Sequence, residues 1–500
     1  MTKISKKYFW LLIISLFFIP IGLFPLFDLD EGAFAEATRE MLSSGDWLTP
    51  YLHGTLRSDK PILIYWLQIL STKIFGFNEF GLRFPSACLG LVWLYTIYSF
   101  VNYRFNKKIA MNSVMFSLSS LLFMIITKAA TADATFNMFL CLSLLSMWHH
   151  FETRDQASLL LCYGSLGLGI LTKGPVAVLI PLLVSFIYFI YHRHYLFWLK
   201  SITSIKGWLV MLVIALPWYI YQYISHGWAF LNGFIMHHNI DRFNQSFEGH
   251  SGGVGYYIVV LILCSIPLTR LVLLPFQVSK IRSSKPLEHY LWTWFMVVLI
   301  LFTFAQTKLP HYLLYGLTPI FILSAIHLKS VNRWWITAPL LFILLLFLII
   351  LLPGNLFHIQ DIDILIKNIT IWHVLILLCL IASSLLSLFY IERMSYFLWS
   401  QVVTMMGFIY LLVIPIFSTF EQLPIKHAAH FAKDNDLNVF GYRMTGHPSF
   451  SVYRELPLKQ ATIIPGQIIL TKDKNLADFN IYNVLFRENH IVLIQLGEVK

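Results

Sequence analysis

Charge is what this sequence has least of. Of its 500 residues 36 are Lys or Arg and 25 are Asp or Glu, 12% together, where a soluble domain carries about 25%. So few charged groups cannot cover a water-soluble globule whose chain is 57% hydrophobic. Lipid is therefore the solvent for most of it. Cysteine is scarce as well. Cys88, Cys141, Cys162, Cys264 and Cys379 each stand alone inside an apolar run. With no C-x-x-C pair there is no zinc-finger or disulfide framework, and small buried hydrophobes are their ordinary role. The sequence also lacks internal repeats and low-complexity segments. Its net charge of +11 would suit nucleic acid, but no basic stripe with interleaved aromatics lies on a soluble segment, so no nucleic-acid partner is expected.

What is there is a series of long apolar runs. They lie near 8–27, 82–103, 109–127, 131–150, 157–172, 174–191, 205–225, 254–276, 288–306, 311–328, 334–353, 371–391 and 395–418. The first has no small-residue cleavage site and reads as a retained helix. Lys and Arg gather in alternate loops, as at Lys6 and Lys7, Lys107 and Lys108, Arg193 and Lys200, and Lys280 and Arg282. The loop over 28–81 is acidic instead. The positive-inside rule then places the N-terminus in the cytoplasm and the acidic loop outside. An odd number of spans puts the C-terminus outside too. Anionic membrane lipids are natural contacts for the basic loops.

The pattern predicts an all-α polytopic membrane protein of about 13 transmembrane helices over residues 1–419. A small α/β domain over 420–500 follows. Within that domain 424–436 reads as a helix. Strand-like runs follow at 438–442, 450–453, 461–470, 480–486 and 490–496.

The outside loop is the informative stretch: DLDEGAFAEATREMLSSGDWLTPYLHGTLRSDKPILIYWLQIL. A loop this long is usually functional. Ala33, Phe34, Ala37 and Met41 share a helical face, and 61–70 makes a second apolar helix too short to span. Both suit the interface plane. Asp30 and Glu31 then open the first helix, and Lys60 precedes the second.

This stretch resembles the opening of the bacterial dolichyl-phosphate-mannose protein mannosyltransferase-like family, whose best-known branch is the aminoarabinose transferases that modify lipid A. The resemblance rests on Asp30, Glu31, Phe34, Ala35, Glu36, Arg39, Glu40, Met41, Gly45, Asp46, Trp47 and Pro50. Asp59, Lys60, Pro61, Tyr65 and Trp66 continue it. Further matches are RFPS at 83–86, Thr131 to Asp133, LTKGP at 171–175 and TKLPHY at 307–312. It implies the membrane GT-C fold and transfer of a sugar from a polyprenyl (undecaprenyl) phosphate to an envelope acceptor. That acceptor is lipid A, another glycan or a protein hydroxyl, on the periplasmic face of the inner membrane. It further implies catalysis by Asp30 with Glu31 beside it, and donor-phosphate binding by Lys60 and Tyr312. A divalent metal at Asp59 would be completed by a histidine of the loop over 228–253, which carries His237, His238 and His250. No nucleotide or organic cofactor is expected. Where many members carry Arg-Tyr, this chain has Ala33-Phe34. Lys60, Lys173, Lys308 or Arg242 must therefore cover more of the phosphate charge.

The residues support that chemistry on their own. A departing lipid phosphate needs cations against its growing charge, and an acceptor hydroxyl needs a carboxylate to take its proton. Lys60, Lys173 and Lys308 fall at outside ends of apolar segments, level with Asp30. Plainer roles stand beside these: Asp30 and Glu31 as a helix cap, Lys60 snorkelling, Lys173 at headgroups, His237 and His238 solvated, Asp133 as structural support. The glycines over 164–169 follow no strand and suit close helix packing rather than a nucleotide loop. A lipid-linked sugar transporter is the alternative from another class. It calls for repeated halves and charges deep in the spans, neither of which the sequence has.

Overall fold

The computed structural model describes residues 6–241, 252–277, 285–328, 331–351, 370–444 and 446–497, with the side chains of 6–8, 238–240 and 351 excepted. Apolar helices dominate. In chain order they begin α1 (Lys6–Phe18), α2 (Asp30–Ser44), α3 (Leu63–Phe75), α4 (Glu79–Arg104), α5 (Lys107–Ser119), α6 (Leu121–Ile126), α7 (Asp133–Thr153), α8 (Gln156–Lys173), α9 (Val176–Tyr191), α10 (Tyr195–Ile202) and α11 (Ile205–Leu231). Among the described residues five helices are long and apolar enough to cross a membrane: Glu79–Arg104, Ile205–His237, Pro286–Phe304, Ile371–Tyr390 and Met394–Glu421. Phe9–Gly22, Leu63–Phe75, Val176–Tyr191 and Trp334–Ile350 are shorter apolar helices. The chain is thus a multi-pass membrane protein. Some runs that read as single spans are built in two pieces. Over 109–127 the chain breaks at Ser120, which leaves the helical region and caps α6 by accepting from the Phe123 N–H. Over 254–276 it breaks after Tyr256–Cys264, at Pro267, where the missing N–H cannot continue a helix.

The loop between α1 and α4 is folded, not slack. Gly45 ends α2 in the left-handed region, at φ 74°, with its N–H on the Met41 carbonyl. The antiparallel strands β1 (Tyr51–Leu52) and β2 (Thr55–Leu56) follow. His53 and Gly54 make their turn with positive φ at both positions, the geometry that matches strand twist. The Glu40 carboxylate on α2 accepts both turn N–H groups, at 2.6 and 3.1 Å. Trp218 and Gln222 on α11 donate to the Leu48 carbonyl at 2.8 and 2.7 Å, which ties the same loop to the bundle.

Beneath α2 lies a buried ion pair. Arg83 of α4 donates twice to Glu31, at 2.7 and 2.6 Å. Its remaining N–H groups donate to the carbonyls of Ile21, Phe24 and Pro25 at 3.0, 2.7 and 2.7 Å. Glu31 also accepts from the Ala130 and Phe27 N–H groups, at 2.7 and 2.9 Å. One pair thus joins the segment that follows α1, the start of α2, α4 and the turn before α7.

The C-terminal domain packs helices Leu423–Asp434 and Ser449–Arg454 with a five-stranded sheet in the order β4-β3-β5-β7-β6. The strands are β3 (Val439–Gly441), β4 (Lys459–Gln460), β5 (Ile468–Lys472), β6 (Tyr482–Glu488) and β7 (Ile491–Leu496). β3 runs parallel to β4 and β5, and β7 antiparallel to β5 and β6. Two expectations need correction. Residues 450–453 are helical, because a short apolar run looks alike in strand and helix and this one packs its Phe450 and Val452 inward after Pro448. The run 461–470 is divided by a turn at Gly466, where φ is 80°.

Removing one partner of a buried, fully bonded ion pair leaves an uncompensated charge that costs about 3–5 kcal/mol. Glu31→Ala and Arg83→Ala are each expected to lower stability by about that much in detergent denaturation. The double variant should cost less than the two singles added.

Candidate active site

Asp30 is the first residue of α2, and its side chain lines two cavities. The larger, about 400 Å³, is lined among others by Arg57, Lys60, Lys173, His237 and Tyr312. The smaller, about 190 Å³, has a more apolar wall that includes Phe24, Ile125, Lys128, Tyr410 and Ile414. Asp30, Thr131, Asp133 and His311 line both. Asp30 therefore stands in the partition between a charged chamber, lined by Arg57, Lys60 and Lys173 against Asp30, Asp59 and Asp133, and a more apolar one.

Two chains of polar contacts furnish the larger cavity. In the first, Lys60 donates to Asp59 at 2.6 Å, Asp59 lies 3.4 Å from Arg57, and Arg57 donates to the Tyr65 hydroxyl at 2.9 Å. Arg57 also lies over the Phe34 ring, 5.1 Å from its centroid, in the cation–π arrangement. In the second, Lys173 at the end of α8 pairs with Asp133 at the start of α7 and with the Tyr315 hydroxyl. Tyr315 donates to the same Asp133 oxygen at 3.1 Å, and the His311 ring nitrogen stands 3.7 Å from it. The turn after Lys173 needs Gly174, whose φ is 76° and whose Cβ would meet the Phe234 ring at 2.5 Å.

Burial raises the Asp30 carboxyl above its ordinary value, and the neighbouring Asp133 adds to this. Lys60 and Lys173 pull the other way, and Asp59 raises it again. Although part of its surface faces the open cavity, protein crowds the carboxyl closely enough for desolvation to dominate. The result is a stronger base than a solvated aspartate.

Not every candidate reaches the cavity with its charge available. Lys60, Lys173, Tyr312, Asp59 and His237 line the larger chamber with Asp30. Glu31 differs from its expected catalytic place: both its oxygens are occupied by Arg83 and backbone N–H groups, so it holds the start of α2 while Asp30 faces the cavities. Lys308 lies outside both linings and donates to the Ala305 carbonyl at 2.6 Å. Arg242 lies outside the described residues, as does the His238 side chain.

Asp59 and His237, two members of the expected metal set, line the same chamber, and the His238 side chain lies outside the described residues. The Asp59 carboxylate is taken up by Lys60 and Arg57. Among the described residues no three His, Cys, Asp or Glu side chains gather into a metal-holding group.

Three residues escaped assignment from sequence. Arg57 reads as one more loop cation, although its place two residues before Asp59 was a usable signal. His311 was quoted within a motif without a role. Lys128 has no local signature. It lies buried between the rings of Phe17 and Tyr410, 4.7 and 4.8 Å from their centroids, on the wall of the smaller chamber.

Known proteins share this architecture. Residues 59–221 match the dolichyl-phosphate-mannose-protein mannosyltransferase family. The undecaprenyl phosphate-alpha-4-amino-4-deoxy-L-arabinose arabinosyl transferase of Photorhabdus laumondii is 31% identical over 330 residues, 63% of this chain and 58% of that protein. Its namesake in Wigglesworthia glossinidia brevipalpis is 30% identical over 347 residues, 66% of this chain and 60% of that protein. The crystal structure of ArnT from Cupriavidus metallidurans bound to undecaprenyl phosphate aligns with a TM-score of 0.81 at 19% identity, over 98% of this chain and 97% of that one. The chain is thus similar to the dolichyl-phosphate-mannose-protein mannosyltransferase family over residues 59–221 and shares the fold of the solved ArnT.

It spans 58–60% of the length of the two curated relatives, while the ArnT-like GT-C fold runs almost end to end, C-terminal domain included. The family match contains Asp59, Lys60, Asp133 and Lys173. Asp30 and Tyr312 fall outside it and join the site through the fold.

Lys173 and Asp133 are mutually dependent, since each is nearly buried at 11% side-chain exposure. Lys173→Met is expected to destabilise the protein by about 3–5 kcal/mol through the stranded carboxylate. Adding Asp133→Asn should restore a large part of the loss. Chemical denaturation of the two variants checks both.

Proposed function

We propose that this chain is an integral inner-membrane glycosyltransferase. It moves a sugar from a polyprenyl (undecaprenyl) phosphate to an envelope acceptor such as lipid A, at the periplasmic face. The observation that carries the reading is Asp30, a desolvated carboxylate set between a chamber lined by Lys60, Arg57 and Lys173 and a second, more apolar one. The curated relatives named above are arabinosyl transferases that use undecaprenyl phosphate-linked aminoarabinose. The solved ArnT was crystallised with undecaprenyl phosphate. The N-terminus lies in the cytoplasm and the C-terminal domain in the periplasm, as the distribution of Lys and Arg across the loops supports.

In this mechanism the donor phosphate occupies the larger chamber, against Lys60 and Arg57 and near the Tyr312 hydroxyl. The acceptor enters from the smaller chamber. Its oxygen attacks the anomeric carbon while the bond from that carbon to the phosphate oxygen breaks, and the bond's electron pair leaves with the phosphate. Asp30 takes the acceptor's proton. One displacement inverts the anomeric centre and needs no covalent intermediate. The cations stabilise charge that appears only as the phosphate departs, so they favour the transition state over the ground state. Lys173 shares its charge with Asp133. It therefore orients Tyr315 and the wall more than it neutralises phosphate.

Asp30→Asn keeps the shape and removes the base. Its transfer rate is expected to fall by about 10²–10⁴-fold, with folding and binding of undecaprenyl phosphate retained. Normal turnover by this variant would refute the assignment. Mass spectrometry of lipid A and envelope glycans from a deletion strain identifies the product.

The pH profile gives a second check. Asp30 must be ionised to accept a proton, so the rate is lost as pH falls through its raised pKa, and the acid limb should lie above an ordinary aspartate's 3.8. Lys60 lowers that pKa. Lys60→Met is therefore expected to move the acid limb to still higher pH.

A further inference from the structure

The C-terminal domain does not hang beside the catalytic loop; it grips the helix that carries Asp30. Asp28, two residues before Asp30, is buried with 2% of its side chain exposed. Its carboxylate accepts the Ser449 N–H at 3.0 Å and the Ser449 hydroxyl, and the His447 ring nitrogen lies 3.5 Å away. The Asp28 N–H donates to the Gln422 side-chain oxygen at 3.3 Å. Asp28 also lines the smaller chamber with Asp30.

The approach is close on the other side of Asp30 as well. A Cβ on Gly32 would fall 2.0 Å from the Asp28 carboxylate, 2.8 Å from the Ser449 nitrogen and 3.2 Å from the Pro448 ring. Glycine at 32 is what lets the domain reach α2. Helix Ser449–Arg454 then continues along the loop. Its Val452 packs with Leu26, Ala35, Leu82 and Ala130. The Tyr453 hydroxyl accepts the Leu26 N–H at 2.7 Å and donates to Glu79 at 3.0 Å. Ser451 meets His53 at 3.2 Å, and Arg39 donates to the Glu455 carbonyl at 3.0 Å.

We propose that Ser449 is a positioning residue for the transfer reaction: by holding the Asp28 carboxylate it fixes the start of α2 and aims Asp30 at the partition between the two chambers. The C-terminal domain is then part of the catalytic apparatus. The inference rests on the function proposed above. Its physical basis is that Asp28 is buried and must keep its donors, so the place of Ser449 dictates the place of the backbone two residues from the base. Catalytic groups tolerate displacement of only about 0.5 Å.

The test uses the full-length protein in lipid nanodiscs, with undecaprenyl phosphate-4-amino-4-deoxy-L-arabinose as donor probe and lipid A as acceptor probe. Ser449→Ala removes the hydroxyl and keeps the N–H, so the fold should survive. Its kcat is expected to fall on the order of 10-fold or more, with both KM values unchanged. Ser449→Thr should restore most of the rate, and Arg443→Ala, on an exposed pair with Asp478, should leave it untouched. Hydrogen exchange of the peptide over 28–36 is read on the same samples. It should quicken on the order of 10-fold in Ser449→Ala while the thermal transition stays put. Unchanged kcat with an active wild type, or unchanged exchange at 28–36, overturns the proposal. A wild type inactive on these probes counts against the proposed substrates, and the exchange measurement still decides whether Ser449 holds the loop.

Discussion

The Arg83–Glu31 pair is the joint on which the site around Asp30 depends. In a medium with no water to solvate loose polar groups, a guanidinium and a carboxylate persist only when every donor and acceptor is used. Here they are used on four segments at once: the carbonyls of the segment after α1, the first turn of α2, the body of α4 and the turn before α7. Each of those segments also supplies a wall of the chambers around Asp30. Glu31 and Asp30 are neighbours in sequence that do opposite work. One is spent on the scaffold, and the other is kept in the cavity because the first is spent.

The same division of labour recurs across the site. Lys173 and Asp133 sit at facing helix ends and satisfy each other, with Tyr315 closing the triangle. Their charges are consumed in joining α7 to α8. Lys60 and Arg57 lie on a loop segment outside the bundle and share the one carboxylate of Asp59, which leaves a net positive wall where a phosphate would need it. The chamber's field therefore comes from the loop, while its shape comes from the helices. A desolvated Asp30 at the boundary sees both.

The C-terminal domain adds a third constraint from the opposite direction. Asp28, just before α2, and Gly32 and Ala35 along it meet one short helix of that domain, and Arg39 meets the residue that follows it, Glu455. The helix carrying the base is thus held from below by a buried ion pair and from above by serine, tyrosine and backbone contacts.

Composition and periodicity alone established that the chain lives in lipid, that its acidic loop carries two helices, and that a small α/β domain follows the bundle. These follow from hydrophobic repeats, which depend on nearest neighbours along the chain. The positions of Asp30 and Lys60 were legible for the same reason, since both flank helices with clear start signals. The tertiary structure alone decided which charges remain available. Lys308 and Lys60 look alike in sequence, yet Lys60, paired with Asp59, lines the larger chamber and Lys308 lies outside both. Glu31 and Asp30 stand side by side, yet only one finds Arg83, which comes from 52 positions along the chain. The apolar run at 450–453 became the helix that docks on α2. Pairing across such separations is set by how the helices pack, and no local pattern encodes it.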